Sequence, residues 1–121
     1  MALKTFELPS SVSHFRLVWE VTSGGTEPSN STPIPSVLSK RWAFIKCVNG
    51  EGTLTLEGGW HVPESPEGVF WDTVLSQNVS DGTAILQSLT HPYHFYRVVF
   101  TVSQGYSGAI RIYVVVEGNA E

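Results

Sequence analysis

Few residues in this chain of 121 have the type and spacing that chemistry requires. His91 and His94 stand in a His-Pro-Tyr-His segment, and His61 is a candidate third ligand to a metal ion. Pro92 disfavours a helix there, and alternation starts a strand at His94 on its inward side, so a buried or turn histidine is the favoured interpretation. We therefore expect no metal site and no cofactor.

The carboxylates and the thiol offer no catalytic arrangement either. Asp81 precedes Gly82, a pair typical of turns, and Asp72 lies within a predicted strand beside Trp71, where an outward-facing or edge position is favoured. Cys47 is the one cysteine, so it forms no intrachain disulfide, and its apolar strand predicts a small buried side chain. The chain contains no Gly-x-Ser-x-Gly elbow, phosphate-binding glycine loop or dinucleotide fingerprint. The sequence predicts a protein that is not an enzyme.

Aromatic side chains are the remaining candidates for function. Trp19 and Trp42 stand in alternating strands and are core candidates. Exposed aromatic residues on a β domain stack on sugar rings or anchor a protein interface, and strands with apolar residues on both faces favour the interface. The predicted binding residues are Trp60 in a loop, Trp71, and the outward-facing Tyr106 and Tyr113.

The elements that must position these residues follow a period of two, which is typical of β-strands, and a helical period is almost absent. Glycine- and proline-rich segments separate the alternating runs, including two predicted loops over residues 23–36 and 58–68. The predicted strands, about eight in number, cover residues 3–8, 13–21, 41–48, 53–57, 70–77, 83–88, 93–102 and 109–117.

The last two predicted strands are expected to form one long antiparallel hairpin around a turn at residues 104–108. Short strands with long connections suit two packed sheets with crossing connections. We therefore predict one all-β domain over residues 1–121, an antiparallel β-sandwich or jelly roll. A small closed barrel stays open as an alternative, because alternation is the same in both architectures.

Charge and composition exclude several classes of partner. The net charge of −4 and the isoelectric point near 5.5 disfavour nucleic-acid binding, which needs a basic face. The seven lysines and arginines are scattered, so no polybasic patch for a membrane surface is present. The N-terminal residues lack the apolar core of a signal peptide, and no run reaches the length of a membrane span, so we expect a protein of a reducing cytoplasm.

Two segments near the C-terminus carry a resemblance to a known class of proteins. Residues 95–102 (FYRVVFTV) and 107–116 (SGAIRIYVVV) form an aromatic-Tyr-Arg-Val strand followed by a Gly-led alternating strand. This pattern resembles small β-sandwich structural proteins of bacteriophage virions, of the head-decoration and tail types. The resemblance implies a non-enzymatic virion protein, assembled in the host cytoplasm as a homo-oligomer that contacts other virion proteins, with no nucleic-acid or membrane partner.

Two alternatives remain beside the virion interpretation. Trp60, Trp71 and the nearby tyrosines also fit a carbohydrate-binding or receptor-recognition module, with a glycan as the partner. The third alternative is a β-barrel enzyme that uses His91 and His94 on a metal ion.

Overall fold

The computed structural model describes residues 3–7, 14–24, 32–33, 40–61, 68–89, 93 and 95–119. Every element in these ranges is a β-strand, and none of the described residues forms a helix long and apolar enough to span a membrane. The strands are β1 (Leu3–Glu7), β2 (His14–Val21), β3 (Thr32–Pro33), β4 (Lys40–Asn49), β5 (Gly52–His61), β6 (Val69–Val79), β7 (Ala84–Leu89), β8 (Phe95–Val102) and β9 (Arg111–Asn119).

The strands form two antiparallel sheets. Sheet A has the order β1-β2-β9-β4-β7, and sheet B has the order β3-β8-β5-β6. Neighbours in both sheets are mostly distant in sequence, so the chain crosses between the sheets several times, as in a jelly roll. The predicted fold class, an all-β antiparallel sandwich of jelly-roll type, is confirmed.

The core lies between the two sheets and follows from alternation along the strands. On β4, for example, every second residue from Arg41 to Cys47 is buried, while the intervening side chains point away from the core. The largest fully buried side chains are Trp19 from sheet A and Tyr96 and Phe100 from sheet B. Trp19 is therefore a core residue as predicted, whereas Trp42 points outward and is half-buried.

The expected long hairpin between the last two strands was wrong. β8 pairs with β3 and β5 in sheet B, whereas β9 pairs with β2 and β4 in sheet A. Residues 103–110 thus carry the chain from one sheet to the other. Alternation identifies which face of a strand is buried, and both strands present an apolar face to the same core, but it does not identify the neighbouring strand.

The predicted loop over residues 58–68 was wrong at its beginning, because β5 continues to His61 and places Trp60 in a strand. In the other predicted loop, residues 32–33 form the short strand β3, and residues 25–31 and 34–36 lie outside the described residues. The predicted turn at Asp81-Gly82 is confirmed, with Gly82 at a φ of +86°. Asp81 Oδ1 accepts a hydrogen bond of 2.8 Å from the backbone N–H of Gly50.

Candidate ligand-binding site

Four side chains lie together on the inward side of sheet B, where β5 ends and β6 begins. They are Trp60, Phe70, Asp72 and Tyr93, and we call this group of residues the mouth. Trp60 pairs with Phe70 across β5 and β6, and these side chains are 36% and 48% exposed. Asp72 is exposed on the same face, because it pairs with Gly58, two residues before Trp60. The mouth therefore offers aromatic surface and a carboxylate side by side to solvent.

A β-bulge in β6 decides which residues reach the mouth. Leu56 pairs with Leu75, but the next residue, Glu57, pairs with Thr73, so Val74 is an extra residue in β6. Val74 and Leu75 both pack against the core as a result. Beyond the bulge, the alternation of side chains along β6 is shifted by one residue. Asp72 and Phe70 therefore point to the inward side of sheet B, like their partners Gly58 and Trp60 on β5.

Tyr93 forms the back of the mouth and is fixed from several directions. Its hydroxyl donates a hydrogen bond of 3.1 Å to Asp72 Oδ2, and its ring centroid lies 5.6 Å from that of Trp60. The ring packs directly on the backbone of Gly58, where a Cβ atom would lie 2.4 Å from Tyr93 Cγ. Only glycine at position 58 leaves room for the ring, so the bare backbone of β5 is part of the site.

Arg41 joins the two sheets behind the mouth. It is 3% exposed on the inward face of β4 and donates a hydrogen bond of 2.5 Å to the backbone oxygen of Tyr93. A second nitrogen–oxygen contact of 3.3 Å joins Arg41 Nη1 to the hydroxyl of Tyr96, and the guanidinium carbon lies 6.0 Å from the Tyr96 ring centroid. A buried cation needs such polar partners. The hydrogen bond from Arg41 in turn holds the Tyr93 backbone in place.

Burial controls the protonation of the two tyrosines. Burial raises the pKa of Tyr93, and the hydrogen bond to the Asp72 carboxylate raises it further. Burial also raises the pKa of Tyr96, against the opposing effect of the Arg41 hydrogen bond and charge. Both hydroxyls therefore stay protonated at neutral pH, and the Tyr93 hydroxyl can act as the donor that Asp72 accepts.

Trp71 lies on the opposite face of sheet B from the mouth. It pairs with Gly59, and the guanidinium carbon of Arg97 lies 3.8 Å from the centroid of its ring. Arg97 Nε also donates a hydrogen bond of 2.8 Å to Glu57 Oε1. A planar guanidinium stacked on an indole and paired with a carboxylate is a self-contained cluster that occupies one face of the Trp71 ring.

The structure does not bring the four predicted binding residues together. Trp60 and Trp71 lie on opposite faces of sheet B. Tyr106 lies between β8 and β9 and donates a hydrogen bond of 2.8 Å to the backbone oxygen of Ala109. Tyr113 lies on the outward face of β9 and accepts a 2.7 Å hydrogen bond from Arg111 Nε. Their roles in binding stay predictions, and only Trp60 is part of the mouth.

Sequence reasoning missed Arg41, Phe70 and Tyr93 as site residues. One signal was available for Arg41, because alternation on β4 places it on the same face as the buried Ala43 and Cys47. The inward facing of Phe70 and Asp72 depends on the bulge, which has no sequence signal here. Tyr93 precedes β8 and is placed by its contacts with Gly58 and the other sheet.

The remaining groups with possible chemistry do not form a site among the described residues. Cys47 is buried, as predicted, and burial raises the pKa of its thiol, which disfavours the nucleophilic thiolate. Within the described ranges, no group of three or more His, Cys, Asp or Glu residues could hold a metal ion. His91 and His94 lie outside these ranges, and of His61 only the backbone is described.

Comparison with known proteins finds similarity to solved structures alone, since no protein-family model and no curated protein matches the chain. It is similar to a cupin domain from Bordetella pertussis, with 15% identity, a TM-score of 0.44, and coverage of 98% of this chain and 94% of that one. It is also similar to an RmlC-like cupin with a double-stranded β-helix fold from Methanocaldococcus jannaschii, with 14% identity, a TM-score of 0.45, and coverage of 98% and 82%. A third similar structure is oxalate oxidase in complex with glycolate, with 15% identity, a TM-score of 0.39, and coverage of 98% and 50%.

These comparisons correct the expected family. The similar structures are cupins and an oxalate oxidase rather than phage structural proteins, so the resemblance to virion proteins was wrong, and the virion function inferred from it was wrong too. The hairpin that carried the resemblance does not form, because its two strands belong to different sheets. At these identities and TM-scores, the cupin structures assign neither an activity nor a ligand to this chain. The absence of nucleic-acid and membrane partners and the cytoplasmic location stay predictions.

Proposed function

We propose that this domain binds a small ligand at the mouth and does not catalyse a reaction. The observation that carries the proposal is the solvent exposure of Trp60 and Phe70 directly beside the Asp72 carboxylate. Exposed aromatic side chains on a fixed framework are common at binding sites, because they lose little conformational entropy when a ligand stacks on them.

The chemistry of the mouth favours a ring that carries hydroxyl groups, such as a sugar. One apolar face of such a ring can stack on the Trp60 indole, and its hydroxyls can donate to the Asp72 carboxylate. The Tyr93 hydroxyl donates to Asp72 Oδ2, and because Asp72 is exposed, its carboxylate can also accept hydrogen bonds from a ligand. A sugar, the alternative partner predicted from the sequence, is therefore the ligand class that we propose.

The rigid support behind the mouth is consistent with a binding role. Arg41 holds the Tyr93 backbone from sheet A, while Gly58 on sheet B provides the flat surface on which the Tyr93 ring lies. Because the site is held from both sheets, its side chains lose little conformational entropy when a ligand binds.

The test is a glycan array followed by calorimetric titration of the sugars that bind, with two matched tryptophan variants. Trp60→Ala removes the stacking surface of the mouth, whereas Trp71→Ala removes an indole from the same strand pair on the other face of the sheet. We expect Trp60→Ala to weaken binding by about tenfold or more, since loss of 1.4 kcal/mol is tenfold. Trp71→Ala should leave the affinity within about twofold of the wild type.

Asp72→Asn provides a second measurement at the mouth, because it keeps the shape and removes the charge. We expect it to weaken binding as well, since a charged acceptor forms the stronger hydrogen bond. Loss of binding in Trp71→Ala alone would place the site on the other face of sheet B and refute the proposal. The absence of binding to any sugar would refute the proposed ligand class.

A further inference from the structure

The outward face of sheet A carries an apolar row that crosses four neighbouring strands. Val18 on β2 pairs with Val115 on β9, Val115 pairs with Phe44 on β4, and Phe44 pairs with Leu86 on β7. All four point away from the core, and Phe44 and Leu86 are 37% and 71% exposed. We call Val18, Val115, Phe44 and Leu86 the outer row. A continuous apolar row across a sheet face is typical of an interaction surface.

Charged residues flank the outer row, and they are arranged symmetrically about the central strand β9. In the neighbouring row on one side, Glu20 on β2 and Lys46 on β4 both pair with Tyr113 of β9. Glu20 and Lys46 thus have opposite charge and lie one strand to either side of β9, about 10 Å apart at their Cα atoms.

The row on the other side of the outer row also places two complementary residues on the strands that flank β9. Arg16 on β2 and Trp42 on β4 both pair with Glu117 of β9. A shallow hollow of about 360 Å³ beside Trp42 is lined by Trp42, Leu86 and Ser88. A guanidinium group stacks well on an indole, so Arg16 and Trp42 are also complementary.

We propose that the outward face of sheet A binds a second copy of this chain, with a two-fold axis that runs along β9. Rotation about this axis exchanges β2 with β4, so that Glu20 faces the partner's Lys46 and Arg16 faces the partner's Trp42. The outer row then meets itself, with Val18 against the partner's Phe44 and Val115 against the partner's Val115. One patch satisfies both subunits, as a two-fold interface requires.

The outward residues of β9 each oppose their own copy along the axis, and two of them, Arg111 at the end of the strand and Glu117, are charged. The Glu117 charge is already compensated within the chain, because Arg16 Nη2 lies 3.0 Å from Glu117 Oε1. The Arg16 side chain remains 42% exposed, so its outer surface is available to the partner's Trp42.

The size of the face fits a stable dimer. Five strands at about 4.8 Å spacing and eight residues at about 3.4 Å give a face of roughly 650 Å². A standard protein interface buries about 800 Å² on each partner, counted over the uneven molecular surface. Two sheets that pack face to face with aligned strands are the arrangement of a β-sandwich core.

Sedimentation velocity at low and high micromolar concentration tests the proposal on the whole chain. We expect a wild-type dimer whose dissociation constant rises at least about a hundredfold in Val115→Lys, which puts two cations on the axis. Val99→Lys is the matched control, since Val99 is an outward, half-buried valine of a central strand in sheet B. Val99→Lys should leave the dimer intact.

A charge exchange tests the direction of the axis and does not depend on burying a lysine. Glu20→Lys and Lys46→Glu should each weaken the dimer by about tenfold, and the double variant should recover the wild-type association. A wild-type chain that stays monomeric at high concentration would overturn the proposal. A dimer that survives Val115→Lys, or that the double exchange does not recover, would overturn it as well.

Discussion

Substitution of Gly58 by alanine is the sharpest test of how the mouth is built. The new Cβ would lie 2.4 Å from Tyr93 Cγ and Cδ2, whereas carbon atoms in optimal contact are about 3.5–4.0 Å apart. The Tyr93 ring must therefore retreat by more than about 1 Å. Gly58 has no positive φ, so alanine introduces a steric conflict without backbone strain.

The expected cost follows from two contributions. Overpacking of a well-packed site costs about 1–3 kcal/mol, and loss of the Tyr93–Asp72 hydrogen bond adds about 1 kcal/mol. Alanine in a strand recovers roughly 0.5–1 kcal/mol relative to glycine. We expect a net loss of about 2 kcal/mol in the free energy of unfolding. The urea midpoint would then fall by about 1 M, for a slope near 2 kcal/mol per M.

A double-mutant cycle in urea, followed by tryptophan fluorescence, checks the cause of this loss. In a Tyr93→Ala background the ring is absent, so Gly58→Ala should stabilise the protein by roughly 0.5–1 kcal/mol there. The expected coupling energy between positions 58 and 93 is the difference between these two effects, about 3 kcal/mol. A coupling below about 0.5 kcal/mol would show that the two residues act independently, and the packing argument for the mouth would be refuted.

Two further predictions concern buried ionisable groups. The folded-state pKa of Tyr96 is raised above its unfolded value of 10.0, so its contribution to stability is complete below that value and is lost as the pH rises through the folded pKa. The urea midpoint should therefore fall more steeply above about pH 10 in the wild type than in Tyr96→Phe, and equal slopes would contradict this. The buried Cys47 thiol should react with a thiol reagent such as dithionitrobenzoate in urea but only very slowly in the native protein. Labelling of the native protein as fast as a small free thiol reacts with the same reagent would contradict this prediction and show that β4 opens locally.

The sequence was sufficient to predict most of the strands and many of the side chains they bury, but it placed β3 and the end of β5 in loops and Trp42 in the core. Alternation along β2, β4 and β9 identifies the core residues of sheet A, because each strand has one face against the other sheet. The order of the strands was not accessible in the same way. The pairing of β9 with β2 and β4 depends on contacts between residues more than 60 positions apart, and alternation holds no information about them.

The candidate site was harder to predict than the fold, for a physical reason. Trp60 was recognised as a binding residue from its type, but its neighbours Phe70 and Asp72 reach the mouth because β6 contains one extra residue at Val74. A bulge changes the facing of every residue beyond it, and composition does not reveal its position. The buried Arg41 was missed, because arginine is normally exposed, although alternation along β4 places it on the buried face.

The same bulge makes the chemistry of the mouth depend on a single step of strand register. If β6 continued from the pair Leu56–Leu75 without the bulge, Trp71 would pair with Trp60 and Asp72 with Gly59. The carboxylate would move to the outer face, and a second indole would lie opposite Trp60. Deletion of Val74 would instead remove the bulge and keep the pairs of Asp72 with Gly58 and of Phe70 with Trp60, so the polar mouth would be retained. A shift of register at this bulge, with no change of sequence in the mouth, is therefore a route by which this scaffold can acquire a new ligand preference.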